Sequence, residues 1–163
     1  MEVKILIADY HNPKHGSDMA HLLDSYAKDP MGGGEPLASS ITENLAKELS
    51  KLPHAFTVLG YVGDKAAGLI NCFEAYSSFK GKPLVNIHDV IVLEDFRGQG
   101  LSQFMLKKVE DIAKEKGCCK LTLEVLEGNE VAQNSYKKFG FSGYELNPAT
   151  GRALFWQKPL SAV

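Results

Sequence analysis

Cysteine is scarce in this chain, tryptophan occurs once, and neither sign of charge dominates. Three cysteines cannot build a disulfide framework, and Cys118 and Cys119 are adjacent, a spacing that rarely bridges. Free thiols in a reducing cytosol are the expectation, and hence a cytoplasmic location. Eighteen basic residues against 20 acidic ones give a net charge of −2, so no overall basic surplus points to nucleic acid. No window is apolar over the roughly 18 residues that a membrane-spanning helix needs. The first residues carry no apolar core with a cleavage site, so neither membrane nor signal peptide is expected. What is present is ordinary for a globular protein: 44% hydrophobic and 23% charged residues in 163. A chain of this length buries roughly 70% of its unfolded surface and needs no covalent staples. It reads as one domain over residues 1–163.

The periodicities give an order of elements. Val3, Ile5 and Ile7 mark a first strand, ended by Asn12-Pro13. Met19, Leu22, Leu23 and Tyr26 fall at helical spacing between Asp18 and Ala27, and Asp29-Pro30 stops that helix. Ser39 or Ser40 caps a second helix carrying Ile41, Leu45, Ala46 and Leu49. Phe56–Val62 and Lys65–Phe73 read as a hairpin turned at Gly63-Asp64, and Leu84–Leu93 as a buried strand. Gly98 to Lys116 is the clearest helix, with Leu101, Phe104, Met105, Val109, Ile112 and Ala113 on its apolar face and Gly117 at its end. A strand over Leu121–Val125 follows, then a short helix from Asn129 to Phe139 ended by Gly140. Phe141–Glu145 and Ala153–Lys158 are expected to be closing strands. This order predicts a mixed α/β sheet protein.

The stretch that bears on chemistry runs from Asp89 to Ser102. An apolar strand enters a short loop, Arg97-Gly98-Gln99-Gly100, which opens the long helix. Glycines let a backbone approach a ligand closely, and a helix start offers unpaired N–H groups and a positive dipole end. Together they suit a phosphate or pyrophosphate. A dinucleotide fingerprint fails because position 103 is Gln, and no Gly-Lys-Ser/Thr run exists for a P-loop. Taken alone, Gly98-x-Gly100 is equally a plain tight turn.

The downstream run Asn129-Glu130-Val131-Ala132-Gln133-Asn134-Ser135-Tyr136-Lys137-Lys138-Phe139-Gly140-Phe141 adds specificity. With the Arg97-x-x-Gly100 loop it resembles the GNAT superfamily, the GCN5-related N-acetyltransferases. Arg97, Gly100, Asn129, Ala132, Tyr136, Gly140 and Phe141 match the family pattern, while Ser102 stands where Gly or Ala is usual. The motifs cover residues 85–145. The resemblance implies a GNAT fold, a central and mostly antiparallel sheet of six to seven strands flanked by about four helices. It also implies direct acetyl transfer from acetyl-CoA to a primary amine of a small molecule, a protein amine or a noncatalytic CoA-binding role being the alternatives. Backbone amides from Gly98 through Gln99, Gly100, Leu101 and Ser102 to Gln103 are then expected to hold the pyrophosphate, with Arg97 beside them. The strand Val90-Ile91-Val92 would pair with the pantetheine arm, and Asn129 and Ser135 would approach it from the next helix. A homodimer is the family's tendency.

A free alkyl amine is mostly protonated at neutral pH, so a proton acceptor is needed. A backbone N–H near Val92 is expected to stabilise the oxyanion, and Tyr136 to protect the leaving thiolate, as the resemblance implies. Asn129 and Tyr136 lie seven residues apart, two helical turns, and share a face. Polyamine-type relatives carry Glu-Asp before the apolar strand, where this chain has His88-Asp89. Histidine suits proton acceptance near neutrality, and the alternatives are a structural His or a water wire. Asp89 either orients a cationic acceptor or bonds backbone and His88.

Other signals are weaker. His11, His15 and His21 lack zinc-site spacing and read as surface residues, so no metal is expected. The cysteines read as buried or incidental. The glycine-rich run from Asp29 to Pro36 is a linker, a mobile lid or a close-packed rim beside the acceptor, where Tyr26, Glu35 and Glu74 would help select the amine. Phe155-Trp156 reads as core packing or a dimer contact.

Overall fold

Continuous apolar runs, buried on both faces, set the two central strands of the sheet. The computed structural model describes residues 1–161. Five strands form one sheet in the order β1 (Val3–Ile7), β2 (Ala55–Val62), β3 (Lys65–Ser77), β4 (Lys82–Val92), β5 (Leu121–Leu123). The first four pair antiparallel, and β4 pairs parallel with β5. The long β2–β3 ladder turns at Gly63, whose φ of 60° is a left-handed geometry that glycine adopts without strain. β3 and β4 extend further than their apolar runs because the hairpin arms continue past the core, to Ser77 and from Lys82.

Helices cover both faces. α1 (Pro13–Lys28) begins earlier than its apolar spacing suggests, because Pro13 occupies the first turn and the Asn12 side chain accepts from the N–H groups of Lys14 and His15. The expected second helix is two short ones, α2 (Ser39–Thr42) and α3 (Leu45–Ser50). Met19 and Leu22 of α1 and Leu49 of α3 pack on Leu59, Tyr61, Leu69 and Ile91. α4 (Leu101–Glu115) lies on the opposite face and buries Leu101, Met105, Leu106, Val109, Ile112 and Ala113. Phe104 is not part of that face. It is 55% exposed beside the helix start, one position off the buried stripe that Leu106 completes.

Two glycines seat α4. Gly60 and Gly68 are register partners, and a Cβ on either would meet Met105: 3.0 Å from its sulfur at Gly60, 2.6 Å from its terminal carbon at Gly68. The missing side chains make the groove that Met105 fills, and so fix the height of the helix over the sheet.

Contacts divide the described chain into two compact units, Met1–Leu126 and the segment from Glu127 onward. In the second, α5 (Glu130–Phe139) is followed by a two-stranded ribbon of β6 (Glu145–Asn147) and β7 (Gly151–Arg152). Among the described residues there are thus seven strands, five of them in the central sheet. The expected strand over 153–158 does not form: the ribbon's ladder ends at Arg152, beyond which the Ala153 N–H donates to Tyr144 O. The strand expected over 141–145 starts only at its last residue. Phe155 and Trp156 are 74% and 83% exposed, which overturns their reading as core.

Candidate active site

The site in the first unit begins where β4 loses a neighbour. β5 pairs only with Val85, Asn86 and Ile87, so the strand from His88 to Val92 runs on beyond its partner. On its other side β4 stays paired with β3 through Val90, Ile91 and Val92. The Leu93 N–H donates to Ala67 O, and the period of two then turns the backbone groups of Val90 and Val92 toward the side where β5 has ended. That is a strand edge offering amide groups to an extended ligand. The Val92 carbonyl accepts from Arg97 Nε at 3.0 Å, leaving the donor of that residue for the edge.

The break in pairing is prepared by a bulge. Asn71 lies opposite Asp89 but Cys72 opposite Ile87, so His88 is the extra residue. His88 is exposed, with its ring edge-on to Phe73 at 5.5 Å, and it is not satisfied inside the sheet. Asp89 is half-buried and does not bond His88; its Oδ2 accepts from Asn71 Nδ2 at 3.0 Å.

Beyond β4 the chain makes one 3-10 turn and enters the glycine loop. Gly98 and Gly100 have φ of 75° and 80°. A Cβ at Gly98 would meet nothing within 4 Å, so this surface is open. Gly100 is the N-cap of α4 and no side chain caps the helix there. Its carbonyl accepts from Gln103 and Phe104, so the helix is fully formed from its first turn. Gln99 reaches back to the Asp95 carbonyl, and Leu101 is buried. Ser102 and Gln103 are half-buried in the same turn. A 15-residue helix thus presents an uncapped positive end beside an open strand edge. The donor set fits an anion followed by an amide-bearing arm.

Arg97 also lies 3.6 Å from Asp29, a partly exposed ion pair between the glycine loop and the loop after α1. That loop is hydrogen-bonded and closely packed against the end of α1. Asp29 caps the turn Pro30–Gly32 through Met31 N, its carbonyl accepts from Gly32 and Gly34, Glu35 N–H donates to Ala27 O, and Leu37 N–H donates to Asp24. Gly32 is packed so tightly that a Cβ would lie 2.0 Å from the Tyr26 carbonyl oxygen. Tyr26 is half-buried, and its hydroxyl is held above its ordinary pKa by burial first and then by the charges of Asp89 and Asp29. Tyr26 and Asp89 therefore belong to one neighbourhood. Glu74 is paired with Lys116 at 3.3 Å, and Glu35 is exposed.

Three residues were missed in the sequence. Tyr10, Thr57 and Asn71 form a hydrogen-bonded row that ends on Asp89. The signal was available: Thr57 and Asn71 interrupt the apolar runs of two buried strands. A cleft of about 430 Å³ beside Tyr10, walled by Pro13, Gly16, Ala20, Thr42 and Ala46, contains none of the predicted site residues.

In the second unit, Asn129 caps α5 by accepting from Ala132 N at 3.1 Å, and Gly140 ends the helix at φ 116°. Tyr136 and Ser135 are half-buried, the Tyr136 ring edge-on to Phe141 at 6.0 Å.

Comparison with known proteins decides the family. A model of the acetyltransferase (GNAT) family matches residues 19–141. The chain belongs to that family. The thialysine N-epsilon-acetyltransferase of Bos taurus is 39% identical over 66 residues, 40% of this chain and 38% of that protein. The Caenorhabditis elegans enzyme of the same name is 28% identical over 74% of this chain and 72% of its own. The match thus spans under two-fifths of the bovine relative's length. Among solved structures, an aminoglycoside N-acetyltransferase in complex with CoA superposes with a TM-score of 0.73 at 19% identity, covering 98% of this chain and 96% of its own. An aminoglycoside acetyltransferase from a soil metagenome gives 0.78 at 16%, over 98% and 97%. At these identities the GNAT likeness of the structures is one of fold.

Proposed function

We propose that this GNAT protein is a single-domain, acetyl-CoA-dependent N-acetyltransferase that moves the acetyl group directly to a primary amine of a small molecule. The observation that carries the reading is the open edge of β4 leading into the uncapped helix of the glycine loop. Amides of residues 98–103 would hold the diphosphate, and the Val90 and Val92 backbone the arm that ends in the thioester. Backbone donors make such a site without a lysine because the helix end already carries about half a positive charge. Arg97, tied to Val92 O and Asp29, would fix the geometry of both loops.

Small cationic acceptors suit the Asp89 carboxylate near Tyr26, Asp29 being paired with Arg97. The relatives named for thialysine and for aminoglycosides act on amines of this kind. In our reading His88, on the bulge, takes the proton that the ammonium loses, directly or through water. The Val92 N–H donates to the oxyanion and Tyr136 to the leaving sulfur. A group of this kind contributes roughly two to four powers of ten in rate. Asn129 and Ser135 would border the arm. We place the reaction in the cytoplasm on the strength of three free cysteines, and a homodimer is part of the proposal.

The test is acetyl transfer to a panel of amino acids, polyamines, aminoglycosides and basic peptides, with release of CoA measured. Turnover of a small amine, reduced at least about 100-fold in Tyr136→Phe, supports the reading. Tight CoA binding with no turnover on any amine overturns it in favour of a binding module. Turnover confined to peptides would make the acceptor a protein.

A further inference from the structure

Thr57 is fully buried and Asn71 is 4% exposed, and both sit among apolar residues of the central strands. The register places Thr57, Asn71 and Asp89 side by side across β2, β3 and β4, on the face that α1 covers. An apolar row of Leu59, Leu69 and Ile91 flanks them on one side. A polar side chain in such a place costs free energy unless each of its groups is bonded. Here they are: Thr57 Oγ1 lies 2.7 Å from Asn71 Oδ1, Asn71 Nδ2 lies 3.0 Å from Asp89 Oδ2, and Tyr10 Oη lies 2.9 Å from Thr57 Oγ1.

The direction of every bond follows from chemistry. An ionised carboxylate only accepts, so the Asn71 amide nitrogen faces Asp89 and its oxygen faces Thr57. Thr57 has a single hydroxyl proton and donates it to that oxygen. Tyr10 must therefore donate to Thr57. The row is polarised from Tyr10 to Asp89, and every proton in it points toward the carboxylate. Valine and leucine would fill the Thr57 and Asn71 positions without desolvation cost, so packing alone gives no reason for this row. Its one consequence is at its end, where it fixes an anion.

Resting on the amine-acetyltransferase reading above, we propose that Asn71 is a positioning residue, held in turn by Thr57 and Tyr10, which orients the Asp89 carboxylate to receive the cationic acceptor amine. One carboxylate oxygen is occupied by Asn71, and the other is the docking point for the ammonium. Tyr26, close enough to feel the Asp89 charge and hydrogen-bonded to Met31 O in the loop after α1, closes the same neighbourhood. The row acts on the acceptor alone, since none of its members belongs to the glycine loop or to the β4 edge beyond Asp89.

Steady-state kinetics on the full chain, with the amine that the wild type accepts best, test this. Thr57→Val keeps the volume and removes the hydroxyl. It is expected to raise KM for the amine by about tenfold or more, as a lost bond to a charged network does, with KM for acetyl-CoA unchanged within about twofold. Thr57→Ser restores the hydroxyl and is expected to return the amine KM to within about twofold of wild type. Tyr10→Phe, at the less buried end, gives a smaller rise in the same parameter and covers the case of a Thr57→Val protein that does not fold. An unchanged amine KM in Thr57→Val, or a Thr57→Ser as impaired as the valine, overturns the positioning role while the enzyme reading stands. Failure of the wild type to acetylate any amine overturns both.

Discussion

Cys72 and Cys119 show how far one side chain's surroundings decide its chemistry. Cys72 is 1% exposed, and burial, followed by the nearby Asp89 charge, pushes its thiol far above the ordinary range. Cys119 is exposed. Alkylation with iodoacetamide near pH 8 is expected to modify Cys119 rapidly and Cys72 only once the protein unfolds, read by mass spectrometry of the labelled peptides. Rapid labelling of Cys72 in folded protein would contradict the packing described for β3. Gly32 is the steric counterpart. Its neighbours Gly33 and Gly34 have open space around a Cβ position, but at Gly32 the obstacle is the backbone of Tyr26. Gly32→Ala must move its loop away from α1, at a cost of about 1–3 kcal/mol or more in stability by denaturant melting. It should also loosen Tyr26, which bonds Met31. At this scale the sequence was least informative. His88 and Asp89 are visible as an unusual pair, but the partner of Asp89 lies 18 residues away on another strand, and no local pattern encodes a strand register.

Elements were far more legible than partners, because period and caps are local. Asn129 and Gly140 bound α5 as their chemistry dictates, and Gly63 makes the hairpin turn. What could not be read locally was decided by neighbours: the glycine-rich run after α1 looks mobile in isolation and is held in place because Asp29 and Asp24 collect its N–H groups. Likewise 153–158 has strand-forming residues but no ladder to join. The Asp24 anchor carries a pH dependence. Its pKa is lowered, first by the Lys28 side chain and then by the Leu37 N–H. A carboxyl with a folded pKa below its unfolded value stabilises the fold above the unfolded value, about 3.9, and that stabilisation disappears as pH falls through the folded one. The melting temperature of Asp24→Asn should therefore lie below wild type at pH 6, and the gap should close below about pH 4. α4 offers a second test. Gly68→Ala would place its Cβ 2.9 Å from the Ile91 carbonyl oxygen as well as against Met105. Met105 can swing aside but the β4 backbone cannot, so a loss of about 1–3 kcal/mol is expected in chemical denaturation. Gly60→Ala, which meets only flexible side chains, should cost less.

For the molecule as a whole, the proposed cosubstrate site lies apart from the core. The core lies between the sheet and its helices, whereas Gly98 and Gly100 sit outside it, exposed, with no backbone within reach of an added Cβ. Gly100 has φ 80° and ψ 6°, a left-handed region that aspartate tolerates better than most residues. Gly100→Asp should thus fold, melting only about 2–4 °C below wild type for roughly 1 kcal/mol of backbone strain. It would nevertheless carry a carboxylate to the helix end where the diphosphate is proposed to bind. A ligand at 100 times its Kd adds about 2.7 kcal/mol to the stability of the state it binds. In a chain of this length that is a rise of roughly 5–10 °C in Tm. Acetyl-CoA at that excess should raise the wild-type Tm by this amount and leave Gly100→Asp almost unmoved, with calorimetric titration showing the matching loss of affinity. Equal shifts in the two proteins would place the diphosphate somewhere other than the glycine loop. A variant that melts far below wild type without ligand would show instead that the left-handed backbone at position 100 does not accept a side chain.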